Sequence, residues 1–166
     1  MPSELQEYFY RDHRPYFKTL LGNGLRAFWD QVNLADPRLF GNRMTREHGW
    51  KDKFILLAMH GDGVAFTQKT DSMLIVSMCF ILATGWSWQH MCMLALFAKG
   101  NRTYAVPHGH GTWEQHIWLY LKLGFDALFT GVHPPRDPFN EEWPQNSKQA
   151  RLAGQPICDG RYKCAI

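Results

Sequence analysis

Long hydrophobic runs are scarce in this chain. The longest, "SMLIVSMCFILATGW" (Ser72–Trp86), has fifteen residues without a charge, short of the roughly 20 that a membrane-spanning helix needs. Ser77 and Thr84 interrupt it, so a buried strand pair is expected there and no membrane partner. Cysteine is sparse as well. Cys79, Cys92, Cys158 and Cys164 are scattered, two of them inside apolar runs, which speaks against a disulfide framework and for reduced, buried thiols in an intracellular protein. Five residues separate Cys158 from Cys164, the wrong spacing for a CxxC metal knuckle. An excess of charge of one sign is also missing. The net charge is +3, and residues 1–53 hold nine Lys/Arg against seven Asp/Glu. Arg11, Arg14, Lys18 and Arg26 alternate with Glu4, Glu7, Asp12 and Asp30, so the face is mixed; this is compatible with DNA as a partner but is no basic stripe. The polar, charged opening "MPSELQEYFYRDHRPYF" does not read as a signal peptide.

What the chain does have is apolar and aromatic material. With 45% apolar and 14% aromatic residues among 166, it suits a packed globule with one sizeable core rather than disorder. Residues 1–50 read as a helical and loop preamble. Apolar residues recur there at helical spacing, Gly22-Asn23-Gly24 forms a turn between two short helices, and "NLADPRLFGNRMTREHGW" is loop-like. Residues 51–166 read as the core domain.

Within that core, strands are expected near 54–60, 71–82, 89–99 and 157–166. The third, rich in Met, Leu and Ala, could equally be helical. One long helix is predicted over 113–130. Thr112 is its N-cap and Gln115 completes a capping box. Trp113, Ile117, Leu121, Phe125 and Leu128 form its packing stripe, and Gly131 followed by Pro134-Pro135 ends it. The resulting class is α/β, with a mixed sheet. Strand, strand, strand, long helix, strand is the order with which the ribonuclease H-like fold begins, its fourth strand lying parallel to the first after a helical crossover.

In nucleases and transposases of that architecture a first carboxylate sits on the first strand, and further acids complete a site for two divalent ions ~4 Å apart. Asp62, in "FILLAMHGDGVAF" (Phe54–Phe66), is the residue positioned for that role, as catalytic residue and Mg²⁺ ligand. Read locally, Gly61-Asp62-Gly63 is instead a hairpin turn that ends the first strand at His60. Both readings stay open. Glu114 lies in a helix first turn, where the dipole favours any acid. Asp126 reads as a solvated face, Asp71 as a strand start, and Asp159, before Gly160, as a turn or bulge. His108, His110 and His116 in "PHGHGTWEQH" lack the fourth ligand and framework of a zinc site. His60 stands next to the glycine that precedes Asp62, where it would orient a phosphate or cap a strand end. Trp86 and Trp88 read as packing residues rather than base-stacking ones.

Three segments, "LLAMHGDGVAFTQKTDSMLIVSMCFILATG", "TWEQHIWLYLKLGFDALFTG" and "ARLAGQPICDG", resemble repeated open reading frames of dinoflagellate genomes that look like remnants of transposable elements, with a DDE-type transposase core. The resemblance runs from about Gly49 to the C-terminus, and "HGDGV" is its most specific part. It implies a ribonuclease H-like transposase or integrase core, Mg²⁺ in the complete site, DNA as partner and a nuclear location. Only Asp62 carries over. In that group the chain continues into a Gly-Asp-Leu block and a cysteine pair, so this chain is expected to be a truncated, inactive fragment lacking the later acids. The alternatives are a non-catalytic nucleic-acid- or protein-binding module, or a gene-fragment product without selected function. An unfinished sheet would expose an edge through which copies could associate.

Overall fold

The structure, a computed structural model, describes residues 1–21, 24–33, 35–37, 39, 41–65, 72–84, 91–98 and 111–165. Three helices come first: α1 (Pro2–Asp12), α2 (Arg14–Leu20) and α3 (Leu25–Gln31). A 3-10 turn (Arg43–Arg46) and the single-turn helix α4 (Trp50–Lys53) lead into β1 (Phe54–Ala65). β2 (Ser72–Phe80), β3 (Met91–Ala98), the long helix α5 (Trp113–Thr130), the short helix α6 (Lys148–Leu152) and β4 (Lys163–Ala165) follow.

The fold is mixed α/β with one four-stranded sheet in the order β3-β2-β1-β4. β1 pairs antiparallel with β2, β2 pairs antiparallel with β3, and β4 lies parallel to β1. Helix α5 supplies the crossover that a parallel partner requires. Its ends fall where local chemistry puts them. The Thr112 hydroxyl accepts the Gln115 N–H at 3.3 Å, the Gln115 amide oxygen accepts the Thr112 N–H at 2.8 Å, and Gly131 closes the helix with a φ of 77°. Leu121 and Leu128 of the expected stripe are buried, whereas Trp113 is exposed. The middle of the helix packs through Gly124 and Ala127 as well, because α1 approaches there too closely for larger side chains.

Two strand expectations are corrected and a third is decided. β1 does not stop at His60; it runs through Gly61-Asp62-Gly63 to Ala65, in unbroken register with Ser72–Phe80. Gly and Asp are poor strand formers, but the β-branched Ile75 and Val76 opposite them extend the ladder, and neither glycine adopts a positive φ. The fourth strand begins not at 157 but at Lys163. Residues Ile157–Gly160 are a 3-10 turn, with Cys158 and Asp159 at φ of 50° and 54°, so Asp159 is the turn residue expected. The Met- and Ala-rich third segment is a strand, since pairing with β2 decides what its composition left open.

One hydrophobic core joins both parts of the chain. Phe54, Ile55, Leu57, Met78 and Phe80 of the sheet meet Leu128 of α5, Ile157 and Cys164 near the C-terminus, and Tyr10, Phe17, Leu25, Trp29 and Met44 of the first fifty residues. Trp29 lies fully inside and donates its indole N–H to the Phe54 carbonyl at 2.8 Å. The core therefore sits at the Phe54 end of β1. The other end, Met59–Ala65, is exposed along its whole length.

Candidate functional site

Asp62 sits within β1, opposite Ile75 of β2. Its carboxylate is exposed, and among the described residues it has no hydrogen-bond or ion-pair partner. Alternation along a strand puts His60 and Asp62 on the same face, with Gly61 between them facing the other way. His60 is exposed too and stands opposite Ser77. An acid on β1 next to a parallel β4 is the arrangement expected from element order. The spacing differs, however: β4 pairs only with Phe54–Leu56. Asp62 lies six residues further along β1, about 20 Å at the rise of a strand.

The other acids and histidines among the described residues do not converge on Asp62. Glu114 is in the first turn of α5. Asp126 is exposed and paired with Lys122 one turn away, the solvated face expected. Asp159 accepts the Tyr10 hydroxyl at 3.1 Å. His116 packs its ring 4.7 Å from that of Phe139. Asp71, His108, His110, Trp86 and Trp88 lie outside the described residues. Among the described residues no three His, Cys, Asp or Glu side chains are grouped to hold a metal ion. A groove of about 490 Å³ opens between the N-terminus of α1, β3 and the first half of α5, but its walls (Leu5, Met93, Trp113, Ile117) are chiefly apolar.

A second constellation was invisible in the sequence. Residues Ser3, Gln6, Glu7 and Tyr10 form the buried stripe of α1, and three of the four are polar or charged by type. The Gln6 amide donates to the Cys158 sulfur at 3.5 Å and accepts the Cys164 thiol at 2.6 Å. The Glu7 carboxylate accepts the Cys158 backbone N–H at 2.5 Å and pairs with Arg11. Burial pushes the Cys158 thiol up to about 12, against a smaller opposing effect of the Gln6 hydrogen bond. Burial also holds the Cys164 thiol well above its ordinary range. Burial thus favours the neutral thiol at both positions, and both cysteines are free of disulfides. The cluster ties the first helix to the C-terminal turn and the last strand. No spacing rule could have found it, because its members are some 150 residues apart in sequence.

No protein-family model, no curated protein and no solved structure matches this chain. Its function must be argued from its own residues. Among those described, no helix is long and apolar enough to cross a membrane.

Proposed function

We propose that this chain is the leading part of a transposase- or integrase-like phosphodiester-transfer core of ribonuclease H-like architecture, with DNA as its partner class and Asp62 as its first acid. The observation that carries the reading is the position of Asp62 on a β1 that pairs antiparallel with β2 on one side and, after a helical crossover through α5, parallel with β4 on the other. A two-ion site needs several oxygen donors, since hard Mg²⁺ takes carboxylates and water in near-octahedral geometry. The described residues offer one exposed carboxylate there and no further acid beside it. The donor set among the described residues does not fit a two-ion centre, so no catalytic step is assigned to them.

The remaining chemical capacity of Asp62 is a weak half-site for one divalent ion. Titration of the chain with Mg²⁺ or Mn²⁺ to about 10 mM, followed by amide NMR, is expected to shift signals at Gly61, Asp62 and Gly63. Asp62→Asn should abolish the response. An unchanged spectrum would reject the ligand role and leave the runner-up, a non-catalytic binding module, which the exposed projecting end of β1 favours.

A further inference from the structure

The outer edge of β1 has a directionality that can be read from its hydrogen bonds. The Leu56 carbonyl accepts the Ile81 N–H at 3.1 Å, so the main-chain groups of Leu56 face β2. Successive residues alternate, and the even-numbered ones through Val64 therefore face β2. Met59, Gly61 and Gly63 direct their N–H and C=O groups to the opposite edge. β4 covers that edge only at Phe54–Leu56, and no other described strand pairs with it. Sheet proteins guard such edges with lysine, proline, bulges or short strands. Residues 57–65 contain no Lys, Arg or Pro, and their register with β2 is unbroken.

We propose that two copies of this chain pair antiparallel through this edge, about a two-fold axis at Gly61, with each His60 facing Asp62 of the other copy. The choice of a second copy as occupant rests on self-complementarity. An axis at Gly61 sets Gly61 against Gly61 and Met59 against Gly63 as hydrogen-bonded pairs, giving six backbone bonds across the three pairings. It sets His60 against Asp62 as the closer, non-hydrogen-bonded pairs, whose Cα atoms lie about 4.5 Å apart. Axes at residue 60 or 62 would instead oppose two histidines or two carboxylates. A parallel arrangement in register would do the same. Nothing stands within 4 Å of a Cβ built on Gly61, so the face of the sheet at the axis is open. Within each copy the residues opposite His60 and Asp62 are Ser77 and Ile75, which carry no charge, so the cross-copy pair meets no competing ion on β2. The association needs neither metal nor DNA and does not rest on the function proposed above.

Sedimentation equilibrium on the full chain is expected to give a dimer. Gly61→Pro removes the central outward N–H without touching the β1–β2 ladder, as proline tolerates edge positions. It should give a monomer with an unchanged circular dichroism spectrum. Because a proline variant can misfold, a charge swap supplies the second arm. His60→Asp alone and Asp62→His alone, each opposing like groups twice per dimer, should weaken association by about tenfold. The double swap, H60D/D62H, should restore it. A wild-type chain that is monomeric at about 100 µM, a dimer that survives in folded Gly61→Pro, or a double swap no tighter than the single variants would each overturn the proposal.

Discussion

Glu7 shows how much one buried side chain can hold in this protein. Its carboxylate takes the backbone N–H of Cys158, a residue with a φ of 50° inside a turn that Gln6 and Tyr10 of the same helix also hold through side-chain hydrogen bonds. Leucine at this position would fill similar space but leave the N–H buried without an acceptor. Glu7→Leu is expected to cost about 1–3 kcal/mol of stability. Glu7→Gln, which keeps an amide oxygen, should cost less. Urea unfolding of the two variants checks this: equal losses would mean that the hydrogen bond contributes nothing beyond packing. Asp62 is the opposite case. It is exposed, so its substitution should leave stability nearly unchanged and affect only ion response and self-association.

At the scale of elements, the contact between α1 and α5 turns on one glycine. A Cβ on Gly124 would lie 2.4 Å from the Pro2 side chain and 3.2 Å from the Pro2 backbone nitrogen. In an ordinary helix interior, Gly→Ala stabilises by about 1 kcal/mol. Here the added methyl must push the first turn of α1 off the long helix, and overpacking of this kind costs about 1–3 kcal/mol. Gly124→Ala is therefore expected to lower stability. Adding Pro2→Gly to it should recover part of the loss. Thermal unfolding of the single and double variants tests the pair, and a stabilised single variant would show that α1 does not press on Gly124. The ends of α5 were legible in advance because caps are local: Thr112, Gln115 and Gly131 act within one turn. The end of β1 was not, because Gly-Asp-Gly reads as a turn to any local rule, while its ladder partners, Val76, Ile75 and Leu74, lie more than ten positions away.

Across the whole molecule, the first helix and the last strand close around a polar knot, and a titratable group lies beside it. His133 is buried, and burial holds its pKa below the ordinary 6.5, although the charges of Glu7 and Glu4 pull the other way. In the pH range between the lowered folded pKa and 6.5, the unfolded chain binds more protons at this site than the native one. Stability must then rise with pH across that range and fall as the solution is acidified. Urea unfolding at about pH 7.5 and about pH 5.5 should show the lower stability at the acid value. His133→Gln should reduce the difference, and an identical pH dependence in the variant would assign the effect elsewhere.

The sequence by itself determined what is local or follows from element order. It specified the long helix with both its ends, three strands followed by a crossover, and an α/β sheet. Each of these rests on interactions within a few residues or on the apolar periodicity of a single segment. Only the tertiary structure decided where β1 stops, that Ser3, Gln6 and Glu7 form a buried stripe, and that Asp62 stands on an open strand rather than in a turn. These depend on pairing between distant segments, where Ile75 and Val76 override the turn preference of Gly61-Asp62-Gly63, and where burial against the C-terminal turn converts a polar helix face into a core surface. The chemistry of Asp62 follows from the same cause, since what stands opposite a strand residue is set by register and not by its neighbours in sequence.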